Sequence, residues 1–154
     1  MDAISMLKTD HDKVKGLLTE LESTTERGVK TRQELFATIK GELTVHEIIE
    51  EEIFYPALKS HPKAQDIVLE AYEEHHVVDL LMGELEALDV SDETWGAKAT
   101  VMKENIEHHI EEEEGEMFKQ ARQVFERQEL EDLGAQMAER KASAQAELGI
   151  PATR

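Results

Sequence analysis

Four histidines and two glutamates carry the chemistry this sequence can do. His11, His46, His75 and His109 each interrupt a stripe of apolar residues that recurs at helical spacing. An imidazole among apolar neighbours is tolerated when both ring nitrogens are satisfied, and metal ligation does that well. Glu50 and Glu113 follow His46 and His109 by four residues. Four residues make a little over one helical turn, about 6 Å of rise, so each histidine stacks with its glutamate on one face. A buried carboxylate is costly unless paired or metal-bound. One His-x-x-x-Glu arises by chance in a glutamate-rich helix. Two of them on matched stripes, with one further inward histidine on each remaining helix, form a specific pattern. The alternative is four separately buried histidines, each hydrogen-bonded to a glutamate.

Four imidazole nitrogens and two carboxylates are more than one tetrahedral zinc would use. Two cations bridged by Glu50 and Glu113, with two histidines each, use all six. Positions then remain for an oxo, hydroxo or water bridge and for a diatomic ligand. Nitrogen and oxygen donors without thiolate suit iron or manganese, with copper or zinc competing. The ferritin pattern, Glu-x-x-His on two helices, is a poor fit. The positions three before the histidines hold Lys8, Leu43, Tyr72 and Ile106. Asp79, four residues after His75, is a candidate seventh ligand, and its counterpart in the first half is Lys15. On the fourth helix, stripe phase favours His109 with Glu113, and the register His108 with Glu112 stays open. Tyr72, one turn before His75, reads either as a core aromatic or as a hydrogen-bond partner of a ligand. Glu47, Glu51, Glu52, Glu111 and Glu114 read as a solvated face, His61 reads as solvated, and His76 as either a surface residue or a support behind a ligand.

The elements that must position these residues are all helical. Ile4, Leu7, His11, Val14, Leu18 and Leu21 predict a helix over about 3–22. Thr31 with Glu34 reads as a capping box for a second helix to about 58, with a kink or early stop at Pro56. A third helix is expected over 63–88, and a fourth over 92–127 capped by Ser91. Short links favour antiparallel neighbours, giving an all-α, up-down-up-down four-helix bundle over residues 1–127. Residues 128–154 read as an additional C-terminal helix (129–147) or a frayed tail, and as a candidate surface for self-association. The halves of the bundle repeat. An offset of 64 carries His11 onto His75 and Val14 onto Val78, and an offset of 63 carries Ile39, Leu43, His46 and Glu50 onto Met102, Ile106, His109 and Glu113.

Composition closes off other classes. The 154 residues include 17 Lys+Arg and 35 Asp+Glu, a net charge of −18 that repels a phosphate backbone, so no nucleic-acid partner is expected. With no cysteine there is no disulfide, thiol catalysis or thiolate-held metal. No signal peptide or membrane span is read, and the expected compartment is cytoplasmic.

His11-Asp12, His46-Glu-Ile-Ile-Glu50-Glu-Glu-Ile-Phe-Tyr-Pro56, Glu74-His75 and His109-Ile-Glu-Glu-Glu113 resemble the signature of the hemerythrin-like family, the histidine–histidine–glutamate cation-binding domain. The resemblance spans about residues 4–125. It implies two non-haem irons bridged by Glu50 and Glu113, one held by His11 and His46, the other by His75 and His109. Oxygen carriers of this family have a histidine where Asp79 stands, and a longer spacing to an aspartate where Glu113 stands. The departures bring the chain closer to bacterial, non-carrier members linked to iron or oxygen sensing, nitric-oxide or peroxide handling, and stress responses. The function implied is a di-iron protein that binds oxygen, nitric oxide or peroxide. The alternatives are a di-iron oxidoreductase, disproportionating peroxide or oxidising ferrous iron, and a structural helical interaction module.

Overall fold

The computed structural model describes residues 1–151, and the regular structure among them is helical. Helix α1 (Ala3–Glu22) starts at Asp2, whose carboxylate accepts the Ser5 N–H at 2.8 Å and satisfies one of the unpaired first-turn amides. Helix α2 (Val29–Ile49) runs into a π-turn, π1 (Glu50–Phe54), and continues as α3 (Tyr55–Lys59). A 3-10 turn at Pro62–Ala64 leads into α4 (Gln65–Ala87). The fourth rod is α5 (Trp95–Glu112), a second π-turn, π2 (Glu113–Met117), and α6 (Phe118–Val124). Helix α1 packs on α2 and α5, α4 packs on α5, and α7 (Arg127–Leu148) lies against α1 and α2. This is the expected antiparallel four-helix bundle with an added C-terminal helix.

Four local expectations resolve differently or more sharply. The capping box at Thr31 does not form, because α2 begins earlier, at Gly28, whose carbonyl takes the Arg32 N–H at 2.9 Å. Arg32 is buried and ties the bundle end together: Nη1 donates to the Val90 carbonyl at 2.7 Å and Nε to the Thr24 hydroxyl at 3.0 Å, with the guanidinium 5.0 Å over the Trp95 ring. Ser91 caps no helix; its hydroxyl turns back to Asp89, Asp92 holds Thr94, and α5 starts at Trp95. Pro56 does not stop the helix: its missing amide falls where π1 already interrupts α-type bonding, and α3 runs on to Lys59.

The C-terminal segment is a helix, not a frayed tail. Gly149 ends α7 at φ +67°, a left-handed conformation that favours glycine, and the Ile150 N–H reaches the Gln145 carbonyl at 2.8 Å. Gly134 lies so close to the N-terminus that a Cβ there would stand 2.4 Å from the Met1 carbonyl oxygen. Residues 152–154 of the expected extension lie outside the described residues.

Two apolar clusters fill the bundle. One holds Ile4, Leu7, Phe54, Tyr55 and Phe118, and the other Val14, Leu18, Phe36, Trp95 and Ile106. On α1 the first ends at Leu7 and the second begins at Val14, with His11 between them. The polar side chains meet in that gap.

Candidate metal centre

Each rod of the bundle contributes one imidazole, and the two π-turns contribute the carboxylates. His11, His46, His75 and His109 are 2%, 5%, 5% and 7% exposed, Glu50 is fully buried and Glu113 is 1% exposed. Their ring Nε2 atoms converge on the two carboxylates: His11 stands 3.1 Å from Glu113, His46 3.2 Å and His75 3.1 Å from Glu50, and His109 3.2 Å from Glu113. The structure brings six of the seven candidate ligands together. It leaves Asp79 out: that residue is exposed, and its carboxyl meets Glu47. The α4 stripe continues through Val78, Met82 and Leu85, so Asp79 falls just past its edge. On the fourth rod His109 and Glu113 turn inward, while His108 and Glu112 pair outside at 3.0 Å with the histidine 65% exposed.

The opposite face of every ring is held by a carboxylate. Nδ1 of His11 meets Glu114 at 2.7 Å, His46 meets Asp10 at 3.0 Å, His75 meets Glu51 at 2.7 Å and His109 meets Glu74 at 2.7 Å. An Nδ1–H donated to a carboxylate fixes ring orientation and aims the Nε2 lone pair at a shared centre, the arrangement that supports metal-ligating histidines. Glu51 and Glu114 are not idle members of a solvated face, as their place among many glutamates suggests, since each holds a histidine ring. Their spacing of 63 residues, and the spacing of 64 between Asp10 and Glu74, repeat the offsets of the histidines and were the available signal.

Tyr55 is the other residue not anticipated. Its hydroxyl donates to Glu113 at 2.6 Å and lies 3.3 Å and 3.4 Å from Nε2 of His75 and His109. Nine residues after His46, it would sit about 180° away on an unbroken α-helix. The extra residue of π1 brings it back toward the site by about 100°. Phe118, nine after His109 and just beyond π2, is its counterpart: it stacks on His11 at 6.1 Å as Tyr55 stacks on His75 at 5.4 Å. Tyr72 packs edge-on against Tyr55.

Electrostatics follow from this packing. Burial alone would push the His109 imidazole down, but Glu113 and Glu74 overcome it and raise it to about 10. His75 is raised to about 9 against the same burial by Glu50 and Glu51. Burial would lift the Glu113 carboxyl, and hydrogen bonding with Glu50 and the charge of His109 hold it well below the usual range. Burial, with the Glu113 and Glu50 carboxylates, keeps the Tyr55 phenol protonated.

The donors fit a pair of cations. Nε2 of His11 and His46, both oxygens of Glu50 and Oε1 of Glu113 are buried with no hydrogen-bond partner outside the cluster they form with one another. Each such atom left unsatisfied costs about 1–3 kcal/mol. Donor atoms of His11, His46, Glu50 and Glu113 lie within 4.8 Å of one another, as do those of Glu50, His75 and His109. Ligands around one ion at about 2.1 Å stand up to about 4.2 Å apart, so each group needs little contraction to close on a cation.

Helical bundle and converging imidazoles together define a protein built to hold cations between its helices. The chain matches the family model described as the hemerythrin HHE cation binding domain over residues 2–121, and it belongs to that family. It is similar, at 28% identity and a TM-score of 0.85, to the crystal structure of a hemerythrin HHE cation binding domain-containing protein from Mycobacterium kansasii, covering 96% of this chain and 89% of that one. It is also 27% identical over 153 residues to a DNA nickase of Nostoc sp., covering 99% of this chain. The chain spans only 43% of that relative's length. Among the described residues, no helix is long and apolar enough to cross a membrane.

Proposed function

We propose that this protein holds a non-haem di-iron centre and binds dioxygen, nitric oxide or peroxide there, in sensing or a stress response. The observation that carries this reading is the set of buried Nε2 and carboxylate oxygen atoms that face one centre with no hydrogen-bond partner outside their own cluster. In it, His11 and His46 would hold one iron and His75 and His109 the other, with Glu50 and Glu113 supplying carboxylate oxygens between them. A donor set of imidazole and carboxylate without thiolate supports iron, with manganese next. Bound there, an iron pair would supply one-electron redox chemistry and affinity for a small ligand.

The chain's own residues do the rest. Asp10, Glu51, Glu74 and Glu114 hold the four rings in place. Val14, Leu43, Val78, Ile106 and Ile110 line a cavity of about 20 Å³ beside the imidazoles. That is room for a diatomic molecule or a single water. Tyr55 keeps a proton on its phenol and presents it to Glu113.

Glu47 favours a second reading, a di-iron oxidoreductase acting on peroxide. It lines the same cavity, and burial together with a hydrogen bond to Asp79 raises its carboxyl to about 9. It therefore carries a proton at neutral pH, next to where peroxide would bind. The nicking activity in the Nostoc relative's name forms no part of either reading, since a net charge of −18 repels DNA.

Iron content and optical spectra test the proposal, the reduced protein being exposed in turn to air, nitric oxide and peroxide. Two irons per chain and a ligand-dependent visible spectrum are expected. Less than one iron per chain after anaerobic ferrous loading would refute the proposal. Rapid peroxide consumption that falls in Glu47→Gln selects the second reading.

A further inference from the structure

We infer that Lys141 of α7 is a positioning residue that presets the His11–His46 half of the centre by acting through Asp10. The inference rests on the two-cation reading above. Around the centre the halves match closely. The rings of His11 and His46 are 4.9 Å apart at 61°, and those of His75 and His109 are 4.9 Å apart at 65°. Every Nδ1 has one carboxylate, and these carboxylates pair across the repeat. At one point the match fails. Asp10, which holds His46, is itself held by Lys141 at 2.7 Å, whereas its counterpart Glu74 faces His108 and Glu112 on α5. Among the described residues, Glu51, Glu74 and Glu114 have no lysine or arginine within 4.0 Å.

The contact is built to matter. Lys141 is 14% exposed and Asp10 8%, so the pair is shielded from the screening that makes surface ion pairs weak. One Asp10 oxygen takes Lys141 and the other takes His46, which leaves the carboxylate a single orientation. Asp10 also precedes His11, so fixing it fixes the turn of α1 that presents His11 to Glu113. The preceding residue of α7, Arg140, reaches Glu52 in π1 with two bonds of 2.9 and 3.2 Å. Helix α7 thus holds Asp10 on α1, next to His11, and Glu52 in the π1 turn that follows the helix carrying His46. All four orienting carboxylates come from within the bundle, and among the described residues Asp10 is the one braced from α7.

Cobalt(II) titration of metal-free protein, followed by visible absorption and by counting cobalt after desalting, tests this. The wild type takes two equivalents. In Lys141→Met one equivalent weakens by about 10- to 100-fold, the usual cost of losing an orienting partner, and the other is unchanged. Lys141→Arg restores it. In an Asp10→Asn background, Lys141→Met adds no further loss, because the lysine acts only through that carboxylate. Asp10→Asn alone reproduces the selective loss, which keeps the test open if Lys141→Met fails to fold. Two wild-type-like equivalents in a folded Lys141→Met, equal weakening of both, or a further loss in the Asp10→Asn background would each overturn the inference and leave the two-cation reading standing. A wild type that takes fewer than two equivalents removes the two-cation reading itself.

Discussion

Replacing Tyr55 by phenylalanine removes one buried oxygen and leaves the ring where it is, stacked on His75 and edge-on to Tyr72. The lost bond is the 2.6 Å donation to Glu113, a carboxylate held well below its usual range and therefore ionised. A hydrogen bond to a charged acceptor contributes about 1.5–3 kcal/mol. Little is recovered from elsewhere, because the acceptor is fully enclosed and its remaining partner on that oxygen is His109 at 3.2 Å. Phe118 shows that a bare phenyl ring packs without strain at the matched position, so the substitution tests the hydroxyl and not the ring. The metal-free variant should be about 2 kcal/mol less stable, which in urea lowers the unfolding midpoint by about 1 M with unchanged slope. The measurement is far-UV circular dichroism through a urea series on matched metal-free samples. A midpoint equal to wild type, at equal slope, would refute the assigned role of the phenol.

Three other outcomes are expected. His75 and His109 are raised from 6.5 to about 9 and about 10, so in the metal-free form their contribution is complete below about pH 6.5 and is lost as pH rises through 9 and 10. Urea midpoints of metal-free protein should fall across that window, while cobalt affinity, which requires those protons to leave, should rise across it. Gly134→Ala should destabilise by about 1–3 kcal/mol despite alanine's better helix propensity, because the neighbour it would strike at 2.4 Å is backbone; a thermal melt reads it. Arg32→Met should cost about 2–4 kcal/mol by stranding the Val90 carbonyl and Thr24, and amide exchange should quicken in the Thr24 and Val90 links ahead of the core.

The bundle was legible because the apolar period of each rod is long and regular. The six converging side chains were legible because they break that period at the same places in both halves. What stayed hidden depended on contacts the period does not encode. Tyr55 reads as outward-facing until a π-turn is known to precede it. Asp10, Glu51, Glu74 and Glu114 flank the stripes among many acidic neighbours, and only the repeat singles them out. Asp79 shows the converse, since spacing four from a histidine is not enough when the buried stripe drifts the other way. Arg32 and Lys141 look like ordinary surface cations in sequence; each is defined by a partner on a distant segment.

The wide turns at Glu50–Phe54 and Glu113–Met117 make the protein unequally tolerant of shortening. A residue lost from a surface link changes only how the chain gets from one rod to the next. A residue lost from either wide turn would let the backbone relax into an ordinary α-helix with better hydrogen bonds. Everything C-terminal to it would keep its facing, because eight residues of ordinary α-helix turn through the same angle as nine that include a wide turn, and Tyr55 or Phe118 would stay in the interior. A residue lost between His46 and Glu50, or between His109 and Glu113, would instead turn the glutamate by about 100° relative to its histidine and take apart one side of the centre.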